Sequence, residues 1–481
     1  MPSAPILAIF AAAVLQAAPI PVLIISGQNN HDWRTTTPHL RHLLANTGKF
    51  DVRVTEEPGS LTPNALAKYQ ALILDYNGPR WGPTTERAVA GFVESGKGLV
   101  VVHGASYAFG DMEILADKHV RTGVHQPIWP QYRQMTGAWW TDQDPKSGHA
   151  PRHIYQVRLT NREHPITAGL GPSFQVTDEL YHNLRTDPNI QVLATAHDDP
   201  SIGGTGHDEP LIWTVAYGKG RVFHTALGHD VAAMMEPGFI ATFLRGTEWA
   251  ASASVTIQAK LEPESPKGAP RVLVVTGGHD HETTFYSMFE RFAADMRVNV
   301  NPHPIPYNRD LRKDYDVLVL YDTIQNLTDQ QRANLRNFIE TPGKGLVALH
   351  HSIADFVDWP WWYEEVIGGR YLLKPDGGQP ASTYKHDEEL RVLPVSKHPI
   401  LKGVPPMHLW DETYKNMWIS PRVEVLLRTD NPTSDGPVAW VSPYDKARVV
   451  FIQLGHDHTA HQYPPYQQLV RNAILWAAGT K

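Results

Sequence analysis

None of the 481 residues of the chain is cysteine. Disulfides, thiolate metal sites and a cysteine nucleophile are therefore excluded, although this says nothing about the redox compartment. Positive charge is also short: 43 Lys and Arg stand against 50 Asp and Glu, a net charge of −7. No Lys/Arg cluster gives the electrostatic footprint of a nucleic-acid or anionic-membrane partner, so a small neutral substrate fits better. The stretch G-Q-N-N from Gly27 lacks both the G-x-G-x-x-G pattern and the P-loop lysine, and no H-E-x-x-H spacing occurs. The short-range signatures of dinucleotide, phosphate and zinc-protease sites are thus missing.

Only the N-terminus carries a notable apolar run, Ile6 to Leu15, followed by small residues at Ala17 and Ala18. It resembles a secretory signal peptide over 1–18, without a basic leading region and too short to span a bilayer. Export to the periplasm or medium is the expectation. The plain alternative is an apolar extension packed on the first domain. No other run is long enough to cross a membrane.

What is present is a long internal repeat. V-L-I-I-S-G-Q-N-N-H, ending at His31, returns as V-L-V-V-T-G-G-H-D-H, ending at His281. G-K-G-L-V-V-V-H at His103 returns as G-K-G-L-V-A-L-H at His350. H-P-I recurs at His164 and His398, D-E-L-Y from Asp178 as D-E-T-Y from Asp411, and L-G-H-D at His229 and His456. A period this long means two copies of a whole domain. The copies run over 21–251 and 271–479, joined by a linker of small, polar and proline residues over 252–269. A composition of 42% apolar and 19% charged residues supports two ordinary cores.

Within each copy, apolar runs of buried-strand length alternate with amphipathic segments. Val22–Ser26, Val52–Thr55, Ala71–Tyr76 and Leu99–His103 read as strands, and Val89, Phe92 and Val93 share one helical face. The expected fold class is α/β, two tandem doubly wound parallel sheets with right-handed crossovers. Ligands of such sheets bind beyond the carboxyl ends of the strands. His31, Asp75, His103 and His229 all fall there, so His31, His103 and His229 are expected to converge on one crevice. His281, His350 and His456 are expected to do the same in the second copy.

The offset between copies falls from 247 residues at the His103/His350 pair to 234 at the His164/His398 pair, so the first copy carries 13 extra residues between them. That insertion includes Trp129, Tyr132, Trp139 and Trp140, and the second copy offers D-W-P-W-W-Y-E-E from Asp358. Trp129 and Trp139, with Asp75, are candidate substrate-binding residues, because aromatic faces stack on sugar C–H faces. The plain alternative is that the aromatics pack loops onto the sheet.

Neutral imidazoles beside a carboxylate suit a divalent metal such as zinc, with His31, His103 and His229 as ligands. They equally suit metal-free acid–base work by His31, His103, Glu179 and His229. The second-copy equivalents are His281, His350, Glu412 and His456. The plain alternative for each histidine is a strand-end side chain bonded to a backbone carbonyl. For Asp178 and Glu179 it is a helix cap or a pair with Arg185, and His164 reads as a structural turn.

The stretches G-L-V-V-V-H-G-A at Gly98 to Ala105, D-E-L-Y-H-N-L at Asp178 to Leu184 and Y-G-K-G-R-V-F-H-T-A-L-G-H-D at Tyr217 to Asp230 resemble a ThuA-like domain of the trehalose-utilisation family. The resemblance covers Pro21 to Gly246. The second copy is similar but divergent: His351 stands for Gly104, Lys415 for His182, and Y-D-K-A-R-V-V-F-I-Q-L-G-H-D-H for the glycine-rich approach. The resemblance implies a flavodoxin-like fold similar to class I glutamine amidotransferases, and a role in disaccharide or glycoside catabolism near keto-sugars. Where those enzymes carry a nucleophilic cysteine this chain has His103 and Gly104, so glutaminase chemistry is excluded.

The expectation is thus an enzyme acting on a disaccharide, glycoside or keto-sugar, with the first copy as the working one. A sugar dehydrogenase of the same pathway is an expected partner. The rival is a non-catalytic sugar-binding or scaffold protein, and a third class is a subunit that co-purifies with that dehydrogenase.

Overall fold

A computed structural model describes residues 18–107, 109, 112–115, 118–121, 129–261 and 267–480. The expected leader, apart from Ala18, lies outside the described residues, as does part of the insertion that follows His103.

The first copy is built on a nine-stranded sheet. Its order is Ser173–Asp178, His153–Leu159, Gln191–His197, Asp208–Tyr217, Gly220–Thr225, Gly98–Val102, Ala71–Leu74, Ile20–Ile25, Phe50–Thr55. The last five strands are parallel. Taken along the chain they follow the flavodoxin-like order 2-1-3-4-5. Ala71–Leu74 and Gly98–Val102 are buried at every residue, as strands covered by helices on both faces must be. Helix Pro83–Glu94 turns Thr85, Ala88, Val89, Phe92 and Val93 inward.

The doubly wound expectation accounts for those five strands but not for the other four. Tyr217 pairs with Gly220 across a tight hairpin, which makes Asp208–Tyr217 antiparallel to the last parallel strand. Three further antiparallel strands extend the sheet from there. In His153–Leu159, Tyr155, Val157 and Leu159 are buried and their neighbours Gln156 and Arg158 are exposed, the alternation of a sheet wet on one face.

The second copy repeats this order: Arg297–Pro302, Arg271–Gly277, Val317–Asp322, Gly345–Leu349, Arg448–Ile452, Pro437–Val441, Glu424–Thr429, Thr383–Pro394, Met407–Lys415. The copies meet directly behind the first L-G-H-D motif. Val231 and Ala232 pack into the second copy's core, Thr177 Oγ1 donates to Asn301 Oδ1 at 2.9 Å, and His42 Nε2 lies 2.6 Å from Glu290 Oε2. The linker begins docked on the first copy: Glu248 accepts from the amides of Thr256 and Ile257, and Ile257 joins the first core. No helix among the described residues is long and apolar enough to cross a membrane.

Candidate metal centre

The sheet order brings the end of Gly98–Val102 beside the end of Gly220–Thr225, which sets His103 next to the turn leading to His229. His103 begins a 3-10 turn with φ +40°, and His350 does the same with φ +50°. A left-handed backbone at a bulky residue is strained and is held only where the surroundings over-determine it. The surroundings here are hydrogen bonds. His103 Nδ1 lies 2.7 Å from the Ala226 carbonyl, and His350 Nδ1 lies 2.6 Å from that of Gln453. A carbonyl only accepts, so each Nδ1 carries the proton and each Nε2 presents a lone pair to the strand-end crevice.

The D-E-x-Y motif divides its work by side chain. Asp178 clamps the L-G-H-D turn, accepting from the amides of Gly228 at 2.6 Å and His229 at 3.2 Å. Glu179 reaches into the crevice, with Oε2 3.1 Å from His229 Nδ1 and 3.8 Å from His103 Nε2. The Tyr181 hydroxyl meets His103 Nε2 at 2.8 Å. Asp411, Glu412 and Tyr414 repeat all three roles around Gly455, His456 and His350. Arg185 bonds the Asp144 carbonyl instead of pairing with either acid.

Ligand atoms about 2.0–2.1 Å from a tetrahedral zinc lie about 3.4 Å from one another. One atom each from His31, His103, Glu179 and His229 falls within 4.8 Å of the others. His229 Nδ1 is buried and makes no aligned hydrogen bond to the carboxylate 3.1 Å away, a relation that suits two ligands of one ion. The residues therefore fit a divalent cation. Burial, with His103 and His229 as neighbours, holds His31 well below the usual histidine range. Burial also disfavours charge on His229, but Glu179, Asp230 and Asp178 prevail and raise it. Burial alone would raise Glu179, yet His103 and His229 hold it well below the carboxylate range.

His31, His103 and His229 are brought together as the strand ends imply, with ring centroids 4.7, 4.8 and 5.5 Å apart. Asp75 does not open onto the crevice. It is 3% exposed, and its oxygens are taken by Asn29, Thr36 and Thr37. Asn29 in turn accepts from His31 through Oδ1 at 3.0 Å, so Asp75 positions His31 through Asn29. Trp129 is buried in an aromatic cluster with Trp81, Phe109 and Tyr132, and Trp139 lies under Arg133; neither reaches the histidines. Trp140 stands nearer, 5.2 Å from the Tyr181 ring. His149, 3.6 Å from Glu179 and exposed, falls in no repeated motif; in the second copy His386 meets Glu412 at 3.1 Å. The His164 Nδ1 accepts from the Ile166 amide as part of a turn.

In the second copy His350, Glu412 and His456 gather, but His281 does not join them. Its Nε2 bonds the Tyr286 hydroxyl at 2.7 Å. The cause is one residue. A Cβ on Gly104 would lie 2.6 Å from His31 Nδ1, so only glycine leaves room for His31. His351 fills that place in the second copy and stacks on His279 at 4.4 Å. Burial is overcome by Glu412 and Asp411 to raise His350, whereas burial and His350 lower His456.

Fold and site together define a tandem α/β protein with a histidine–carboxylate centre at the strand ends of each copy. A family model described as ThuA, trehalose utilisation, matches residues 21–250 and 271–477. The chain belongs to the ThuA family, in two tandem copies, and the family description gives it a carbohydrate-related role. Among solved structures, a ThuA-like protein of Parabacteroides merdae ATCC 43184 is 32% identical, covering 50% of this chain and 93% of that one, with a TM-score of 0.44. One from Bacteroides uniformis ATCC 8492 is 18% identical over 51% and 98%, with a TM-score of 0.39. A β-galactosidase of Rahnella sp. R3 is 18% identical over 48% of this chain and 31% of that chain, with a TM-score of 0.33. No curated protein matches the chain.

Proposed function

We propose that the chain is a carbohydrate-catabolic enzyme acting on a disaccharide, glycoside or keto-sugar at His31, His103, Glu179 and His229, which hold a divalent cation such as zinc. The observation that carries this reading is the convergence of three imidazoles and one carboxylate at ligand-to-ligand distances. A bound cation would supply Lewis acidity toward a sugar carbonyl or hydroxyl.

The protein's part is orientation and proton management. Ala226 fixes the His103 tautomer, Asn29 and Asp75 fix His31, and Asp178 fixes the backbone that bears His229. The Tyr181 hydroxyl, beside His103 Nε2, is placed to donate a proton to a sugar oxygen once a cation takes that lone pair. His149, on the solvent side of Glu179, carries protons between the site and water. A keto-sugar substrate would come from a sugar dehydrogenase of the same pathway. The test is turnover of disaccharides, glycosides and their keto derivatives by protein of known metal content. Product formation that follows metal content supports an enzyme, whereas saturable binding without product supports a sugar-binding protein.

A further inference from the structure

The second copy is more than a worn duplicate of the first. One of its three converging groups, Glu412, stands in the wall of a cavity of about 310 Å³ lined also by His279, His351, Tyr371, Tyr384, His386 and Tyr414. That volume is at the lower end for small-molecule sites and suits a single sugar ring.

Three observations point to an occupant. First, His350 Nε2 faces Glu412 Oε2 at 3.1 Å and His456 Nδ1 at 3.2 Å, with 3.8 Å between the latter two. These separations bracket the roughly 3.4 Å between ligands of a tetrahedral ion. With Nδ1 bonded to the Gln453 carbonyl, Nε2 is the His350 atom left to face Glu412 and His456, and a cation would take the place of the Tyr414 hydroxyl that meets it at 3.1 Å. Second, His351 is 6% exposed and lines the cavity; the Tyr321 carbonyl is near, yet neither ring nitrogen makes a well-formed hydrogen bond. Buried polar groups are normally satisfied, so an unpaired one facing a cavity calls for a ligand. Third, Tyr371, Tyr384 and Tyr414 bring aromatic faces and hydroxyls to the same space, a lining that suits a polyhydroxylated ring.

We propose that His350, Glu412 and His456 form a second divalent-cation site, with an open coordination position toward the cavity, which takes a sugar or other vicinal polyol. The two copies then differ in kind. The first offers four protein ligands. The second offers three, because His351 bars His281 from the fourth place, and three ligands with an open position is the pattern of sites that coordinate a substrate. Glu412 Oε1 is meanwhile held by His386 Nδ1 at 3.1 Å, which leaves Oε2 for the ion. This assignment does not depend on the first copy's catalytic role.

The test uses the full chain, stripped of metal and titrated with zinc by calorimetry, with metal content measured after desalting. Two equivalents are expected for the unaltered chain and one for Glu412→Gln/His456→Ala. His31→Ala/His229→Ala should also keep one, with unchanged affinity. His456→Ala alone, a partly exposed ring, serves if the double variant misfolds; it should weaken the second equivalent about 100-fold, since outer partners alone are worth 10–100-fold. With cobalt in the His31→Ala/His229→Ala chain, millimolar methyl glucoside should shift the visible spectrum.

A single equivalent kept by His31→Ala/His229→Ala and lost in Glu412→Gln/His456→Ala would support this site and sink the cation proposed for the first copy. Zinc binding unchanged by Glu412→Gln/His456→Ala would overturn the second site. A cobalt spectrum indifferent to polyols would overturn its ligand.

Discussion

Gly104 and His31 meet so closely that the smallest side chain at position 104 would sit 2.6 Å from the His31 ring. Gly104→Ala should therefore push His31 out of the crevice without altering any proposed ligand. Zinc affinity of the first site is expected to fall at least tenfold, close to the effect of His31→Ala, with little change in melting temperature. Equal affinity in Gly104→Ala and the unaltered chain would show that His31 is not held as a ligand.

The same contact explains what could and could not be read from sequence. Strand-end placement of His31, His103 and His229 was legible, because alternating apolar runs set the sheet and the sheet sets where its ends lie. The failure of His281 was not. It follows from a contact between residues about seventy positions apart, Gly104 with His31, and from the ring of His351 that replaces it. Asp75 looked like a ligand contact by position, yet Thr36, Thr37 and Asn29 already satisfy it. Trp129 and Trp139 could not be told from packing residues by composition alone. The four antiparallel strands are harder to read, because His153–Leu159 alternates only from Tyr155 onward and Asp208–Tyr217 contains a continuous buried run like that of a parallel strand.

Asp178 and Glu179 are adjacent but should fail differently. Asp178→Asn leaves one of the two clamped amides without its acceptor in a buried place, a cost of about 1–3 kcal/mol. Glu179→Gln removes a group that holds no backbone, so the fold should survive while the first zinc equivalent is lost. Thermal melting and metal analysis of both variants check this. Equal stability loss in both would mean that Glu179 is structural.

At the junction of the copies, burial pushes Glu236 up to about 8, against the opposing pull of Arg152 and its hydrogen bonds. Its folded pKa is thus above its unfolded value, so the folded state retains the proton longer. The stability it contributes is whole below about pH 4.5 and is lost as pH rises toward 8. Glu236→Gln, which cannot ionise, should melt increasingly above the unaltered chain from pH 5 to pH 8. Parallel melting curves would show that Glu236 is charged in the fold.

His42, in the first copy, is raised by its hydrogen bond to Glu290 in the second. Raised histidines stabilise below the unfolded pKa near 6.5 and cease to do so above the folded one. His42→Ala should consequently lower the melting temperature more at pH 6 than at pH 9. A pH-independent difference would mean the pair contributes through packing only.

The two copies should also differ in turnover. His103→Ala or His229→Ala is expected to reduce the rate about 100-fold or more, the scale of a lost acid or base. The same changes at His350 and His456 should cost less. Equal losses in both copies would indicate a shared or duplicated reaction.

The central claim is that His31, His103, Glu179 and His229 hold a cation on which sugar chemistry depends. Its most direct test is turnover of a panel of glycosides and keto-glycosides by metal-stripped protein, before and after stoichiometric zinc, beside Glu179→Gln treated identically. The account predicts that zinc restores product formation in the unaltered chain and not in Glu179→Gln. Full turnover by stripped protein, or restoration in Glu179→Gln, would contradict it.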